Sequence, residues 1–425
     1  MRDWEGFRRP LMSVVLKSVF ETFRNRNLMV ITLTQSLFMF VASLWWPYWS
    51  LYIMELGASP TLLGLIFMAE MTAQLIFQIP GGFLTDRFGR KKVIVIGSIF
   101  RALSPFIYVL TGSWQFVIVG MVITQASNMM IPAIDALIAE SVSKENRGLG
   151  YGAFRMMTWL PQIFTAYLGG VITDMLGVVP GVKLAIAATA VVAVINVFIR
   201  WKYLEDTYVP GAEIHSKRVN PLEALRNIRT VPRQIWYLIL VAGFSAFAFR
   251  VAGQFMVVYA TRVIGLSKTE WGIVTTVVMV ISTLLTIPGS IISDRVGRKP
   301  GIMVSLGLLP LQFLGLTLAG GFGGVMGARV LGGVSEGFGG AVTGIEGGSA
   351  WLALVADITP AGQRGMMMGI IGTVAGLLSL PGSSVGGYLY DSVSPQLPFY
   401  VAAASGFAAF LAFMIFIKEP KSKAD

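Results

Sequence analysis

The sequence predicts an all-α integral membrane protein, with twelve transmembrane helices arranged as two pseudo-symmetric six-helix bundles. Three observations predict it: an apolar composition, apolar runs whose connections carry Lys and Arg on alternate sides, and an internal repeat. Of the 425 residues, 55% are hydrophobic and only 13% charged, and the mean hydropathy is +0.70. So few charges cannot cover a water-soluble surface, and the excess apolar residues must face lipid. The absence of cysteine excludes disulfides, thiolate metal sites and a cysteine nucleophile. The one histidine, His215, sits in a polar stretch, so neither imidazole catalysis nor a metal or cofactor site is implied.

A hydrocarbon core takes about 20 helical residues to cross. Runs of that length predict helices near 28–53, 60–84, 92–112, 114–140, 147–176, 182–204, 235–263, 269–292, 299–320, 323–357, 364–391 and 395–417. The first 27 residues, rich in Arg and aromatics without a small-residue cleavage site, read as a cytoplasmic amphipathic lead-in. Basic residues gather on alternate connections, at Arg2 to Arg26, Arg87 to Lys92, Lys144 and Arg147, Arg200 to Arg233, Arg295 to Lys299, Arg364, and Lys418 to Lys423. The opposite connections carry only Lys183, Arg262 and Lys268. This asymmetry predicts both termini in the cytoplasm of a cell-membrane protein. The net charge of +11 is then mostly topology; split among short loops, it forms no stripe for nucleic acid.

The longest polar stretch falls halfway along the chain. Within it, Asn220-Pro221 followed by Leu222, Leu225 and Ile228 reads as a capped amphipathic helix. The domain reading is therefore a bundle at 1–205, a cytoplasmic linker at 206–234 and a bundle at 235–425. The halves repeat. Asp86-Arg87-Phe88-Gly89-Arg90-Lys91 recurs as Asp294-Arg295-Val296-Gly297-Arg298-Lys299. Glu140, Arg147, Gly148, Gly152, Gly169, Gly170 and Asp174 recur as Asp357, Arg364, Gly365, Gly369, Gly386, Gly387 and Asp391, at one constant shift of 217 positions. Halves related by an axis along the membrane normal are a known carrier plan, with the solute site between them near the midplane.

Gly82-Phe83-Leu84-Thr85-Asp86-Arg87-Phe88-Gly89-Arg90-Lys91-Lys92 resembles the signature of the major facilitator superfamily between its second and third helices, and residues 290–299 resemble its second copy. Ala328-Arg329-Val330-Leu331-Gly332-Gly333 is similar to a further family motif, displaced here to the tenth helix. The resemblance covers essentially the whole chain and implies the major facilitator fold. It also implies that Asp86 points to the start of the eleventh helix near Gly365, where unpaired N–H groups favour a carboxylate, and that Arg90 reaches Glu140. The mirrored set is Asp294 toward Gly148 and Arg298 toward Asp357. Such contacts would latch the halves on the cytoplasmic side and break as the protein opens inward. Alternatively, the charges, Arg87 and Arg295 among them, merely mark a cytoplasmic turn, while Gly89 and Gly297 permit the tight backbone.

A charge inside the hydrocarbon costs at least ~2.5–3.5 kcal/mol when unpaired. The chain carries Glu70, Arg101, Asp135, Arg155, Arg250, Arg329, Glu336, Glu346 and, at the margin, Glu140. At about 1.5 Å per residue, Glu70, Arg250 and Glu336 come out roughly 20 Å from a membrane face. Asp135, Arg101 and Arg155 share a depth of roughly 9–13 Å, which suggests that Asp135 pairs with Arg155, Arg101 or both. In the resembled fold helices 1, 4, 7 and 10 line the cavity, which favours Arg250 and Glu336 as cavity residues. Glycines crowd residues 332–348 and permit an unwound segment beside a water-filled cavity. Glu336 and Glu346 there read either as proton or solute sites or as halves of ion pairs with Arg250 or Arg329. Trp45, Trp46, Tyr48, Trp49 and Tyr52 read as an interfacial belt or as stacking groups in a cavity. Pro161 and Pro381 are expected kinks.

The resemblance thins at the subfamily level. Proton-driven exporters of the family show Gly-Pro-x-x-Gly-Gly in the fifth helix; here Gly169-Gly170 are present without the Gly-Pro before them. No Arg in the first helix partners Arg250, unlike the organophosphate exchangers, and that helix also lacks a carboxylate. The leading reading is a monomeric secondary transporter of small organic solutes, coupled to protons as antiporter or symporter, with efflux of lipophilic or cationic compounds ahead. The alternative is an importer of a small organic anion anchored on Arg250. A membrane-embedded enzyme or non-transporting sensor comes last, since no Walker loop, zincin motif or intramembrane His or Cys is present.

Overall fold

Helix boundaries follow from a few local signals. The computed structural model describes residues 25–142, 147–207, 233–339, 348–359 and 363–418. The first helix, α1 (Arg26–Glu55), starts where the Asn25 side chain accepts the Leu28 N–H. α2 (Pro60–Phe88) and α3 (Arg90–Leu110) are separated by Gly89 alone, whose φ of +87° suits a residue without Cβ. α4 (Trp114–Ser141) follows. α5 runs as Arg147–Trp159, a 3₁₀ turn at Leu160–Gln162 and Thr165–Leu176, broken at Pro161 as expected. α6 (Val178–Tyr203) completes the first six.

The second six repeat the plan. α7 spans Arg233–Val263. α8 (Lys268–Val296) opens on a capping box between Ser267 and Glu270. Gly297, with φ of +119°, alone separates it from α9 (Arg298–Leu318). α10 is described as Phe322–Gly339 and Ser349–Asp357. α11 (Arg364–Ser392) is interrupted at Pro381, and α12 spans Leu397–Phe416. Ten of these helices contain a described stretch long and apolar enough to cross a membrane; α5 and α10, each in two pieces, complete the twelve. Residues 1–24 of the predicted lead-in, the amphipathic helix at 220–228 and Glu346 lie outside the described residues, while Arg26 and Asn27 already belong to α1. α1 and α7 share one further irregularity, a 3₁₀ turn at Trp46–Tyr48 and at Gly253–Phe255.

Packing divides the chain differently from the repeat. One compact unit holds Met1–Trp46, Ala73–Thr165 and Pro180–Glu213. Its core is built on Leu28, Ile31, Ile94, Met130, Leu137 and Ile138, from α1, α3 and α4. The other unit holds Pro47–Thr72, Ala166–Val179 and Ile214–Asp425, with Leu238, Ile302, Trp351, Ile371 and Phe413 in its core. Pieces of α1, α2 and α5, all from the end of the bundle away from Gly89, therefore pack as part of the unit that contains α7 to α12.

Candidate functional site

The chain carries paired polar contacts at both ends of the helices. At the Gly89 end, Arg90 is 3% exposed and its Nη2 lies 2.7 Å from Glu140 Oε1, with Nε donating to the same oxygen at 3.2 Å. The repeat holds Arg298 Nε 3.2 Å from Asp357 Oδ2. The segment leaving α6 joins the first of these pairs. Asp206 accepts the Arg90 backbone N–H at 3.1 Å, and its Oδ2 stands 2.6 Å from where a Cβ on Gly89 would sit. The Thr207 hydroxyl donates to Glu140 Oε2, and Glu205 exchanges backbone hydrogen bonds with the Asn27 side chain. Arg87 and Arg295 are exposed, and the Arg87 guanidinium lies over the Phe83 and Phe88 rings. The side chains of Asp86 and Asp294, and the surroundings of Gly82, are outside the described residues.

At the other end two carboxylates cap the starts of helices distant in sequence. Asp174, near the end of α5, accepts the Lys268 N–H at 3.1 Å and the Thr269 N–H at 2.7 Å. Asp391, near the end of α11, accepts the Thr61 N–H at 3.3 Å and the Thr61 hydroxyl at 2.7 Å. Asp174 and Asp391 are repeat partners, and so are Thr61 and Thr269, 208 positions apart. The first turns of α2 and α8 have unpaired N–H groups and a positive dipole end, which is what a carboxylate stabilises. Arg262 adds an ion pair to Glu55 at 2.8 Å.

Tyr48, fully buried, lies within this second set. Its hydroxyl reaches Ala166 O at 2.6 Å and Lys268 O at 3.1 Å. A Cβ on Gly170 or Gly272 would come 2.7 Å from that hydroxyl, so both positions need glycine for the approach. At the matching place in α7, Phe255 stacks on Tyr390 at 5.2 Å. Of the five aromatics only Trp46 is exposed, at 54%. Trp45, Tyr48, Trp49 and Tyr52 are buried in helix contacts. Trp45 donates to the Thr189 hydroxyl, and Trp49 stacks on Tyr52.

The membrane-depth charges fall into separate groups. Arg250 donates to Met71 Sδ at 2.9 Å, beside half-buried Glu70 on α2. Arg329 is buried and donates to Gln312 Oε1 at 2.7 Å; its charge acts on Glu336, two turns along α10. Arg155 is the charge that acts on Asp135, and both are exposed. Arg101 belongs to a different group: it donates to Gln35 Oε1 at 3.3 Å and lies over the Phe38 ring. Sequence reading placed Arg200 among the topology charges. Instead it is 1% exposed and bonded to Thr34, Ser98 and Gln35. The facing hydroxyls on α1 and α3 were the available signal.

Comparison with known proteins bears on the whole chain. The family model described as Major Facilitator Superfamily matches residues 31–269 and again 238–425. An uncharacterised MFS-type transporter of Methanocaldococcus jannaschii is 28% identical over 182 residues, which is 43% of this chain and 46% of that protein. Quinolone resistance protein NorA of Staphylococcus aureus is 27% identical over 158 residues, 37% of this chain and 38% of that protein. The chain thus spans less than half the length of these curated relatives. Among solved structures, nucleoside transporter NupG superposes with a TM-score of 0.72 at 14% identity, covering 91% of this chain and 100% of that one. A D-xylose-proton symporter gives 0.70 at 17% identity, covering 94% and 100%.

Proposed function

The chain belongs to the Major Facilitator Superfamily, and from that membership we propose that it is a secondary active carrier of small organic solutes working by alternating access. The observation that carries this reading is the duplicated clasp: Asp174 on the start of α8 and Asp391 on the start of α2. Two repeat-related caps, each joining helix ends far apart in sequence, are what a gate that opens and closes as a unit requires. The Asp86 and Asp294 turns then serve the opposite face, which lies in the cytoplasm with both termini.

The finer reading is proton-coupled export of lipophilic or cationic compounds from the cell. Its supports are the likeness to a relative named for quinolone resistance and a carboxylate, Glu336, at membrane depth on a helix facing a cavity in this family. Glu336 is the proposed proton carrier. Everted vesicles with and without an imposed proton gradient test both levels. Accumulation of a fluoroquinolone or ethidium that collapses with the gradient is expected. Accumulation that ignores the gradient overturns proton coupling, and failure of a broad panel of organic cations, anions and sugars to move overturns the carrier reading.

A further inference from the structure

Two guanidinium groups share one neutral acceptor inside the first compact unit. Arg200 Nη2 and Arg101 Nη1 both point to Gln35 Oε1, at 3.2 and 3.3 Å. The rest of the Arg200 shell is also neutral: Nε donates to the Thr34 hydroxyl at 3.0 Å and Nη1 to the Ser98 hydroxyl at 2.9 Å. Those hydroxyls give their own protons to Val30 O and Ile94 O, one turn back, so their lone pairs face the arginine. Among the described residues no carboxylate bonds either guanidinium, and the charge acting on Arg200 is that of Arg101, of the same sign. Both arginines stay protonated at any physiological pH.

Two like charges inside a low-dielectric bundle repel strongly unless a counter-charge joins them. Arg200 is closed off on all sides. Arg101 is half-buried; of its five N–H groups one goes to Gln35, and its plane rests on Phe38 at 5.1 Å. The open donors of the pair are therefore on Arg101. We propose that Arg101 and Arg200 form a binding site for a small monovalent anion, a halide or a carboxylate group, seated on Arg101 beside Gln35. The site lies in α1, α3 and α6, apart from the Glu336 group, and its occupancy does not depend on the direction of transport.

Melting of the purified full-length protein tests this at fixed ionic strength, with sodium chloride or sodium acetate replacing a bulky sulfonate salt, sodium MES. A saturable rise on the order of 5 °C is expected at roughly a hundredfold excess over the dissociation constant. Arg101→Met should already melt higher in MES than the parent, because the repulsion is gone, and should not respond to chloride or acetate. Gln35→Glu keeps both arginines and supplies a built-in anion; it should behave the same way and decides the matter if Arg101→Met does not fold. Chloride activity marks an ion taken from the bath, and activity of acetate alone marks the carboxylate of an organic ligand. A parent protein indifferent to the anion, or a Gln35→Glu protein that responds as the parent does, overturns the site.

Discussion

Gly64 of α2 and Gly387 of α11 touch backbone to backbone: a Cβ built on Gly387 would lie 3.1 Å from Gly64 Cα and against the Pro60 carbonyl oxygen. The repeat partners of these residues are Gly272 and Gly170. A Cβ on Gly170 would stand 2.5 Å from Lys268 O, and one on Gly272 2.5 Å from Ala166 O. Each of these glycine contacts lies beside one of the carboxylate caps, so close helix approach and charge–dipole attraction act on the same two contacts.

Adding bulk at this contact should hold it open. Gly64→Leu overpacks the crossing at a cost of ~1–3 kcal/mol, a shift of roughly 5- to 150-fold toward the open arrangement. The parent chain has no cysteine, so one placed at Ser383, which is buried beside Gly64, reports access cleanly. Labelling of Ser383→Cys by a membrane-impermeant maleimide should be slow alone and fast with Gly64→Leu. Equal rates would mean that the contact does not gate that face.

The two caps should both hold their contacts although they differ in detail: Asp174 accepts two backbone N–H groups with the Lys268 ammonium 3.9 Å away, whereas Asp391 accepts the Thr61 N–H and hydroxyl. Removing a helix-terminal carboxylate charge costs ~0.3–1 kcal/mol, or up to ~2 when partly buried. Asp174→Asn and Asp391→Asn should each accelerate labelling of the same reporter, and together by about the product of the two factors. A silent Asp391→Asn beside a strong Asp174→Asn would mean that only one of the repeat-related caps holds its contact.

The Arg90–Glu140 and Arg298–Asp357 pairs should differ. Arg90 is 3% exposed whereas Arg298 is 20% exposed. Arg90→Met would leave Glu140, itself 32% exposed, to water and the Thr207 hydroxyl, and losing the charge-assisted bonds of a buried guanidinium should cost ~1.5–3 kcal/mol. Arg298→Met should cost less, because the Arg298 guanidinium, unlike that of Arg90, is itself partly in water. The melting temperatures of the two variants give the order, and a larger drop for Arg298→Met would mean that burial does not set it.

Much of this was legible in the sequence, for reasons tied to particular residues. Helix spans came from apolar runs, and Arg90–Glu140 and Arg298–Asp357 came from the resemblance. Asp174 and Asp391 stood out as repeat partners, but what they cap is 94 and 330 residues away, and one sequence does not encode such pairings visibly. Arg200 was misplaced because a basic residue at a helix end looks alike whether it faces water or a bundle core. Depth alone offered Arg101 beside Arg155 as a partner for Asp135; depth does not fix the side of the helix, and the ring of Phe38 and the amide of Gln35 hold Arg101 while the Arg155 charge acts on Asp135.

Glu336 is where function and stability must be separated. Glu336→Gln keeps size and most hydrogen bonding but cannot ionise. If Glu336 carries the coupling proton, this variant should lose uphill transport by about two orders of magnitude or more yet retain solute-for-solute exchange, which moves no net proton. If Glu336 instead serves chiefly as counter-charge to buried Arg329, the substitution leaves that guanidinium with Gln312 as its described bond and should cost ~3–5 kcal/mol. Arg329→Met separates the two. Combined with Glu336→Gln it removes the orphaned charge, so the double variant should recover the melting temperature in the ion-pair case and still fail to transport uphill in the proton-carrier case. A stable Glu336→Gln protein with normal uphill transport would exclude both roles, because neither a proton site nor a needed counter-charge survives the loss of its ionisable group.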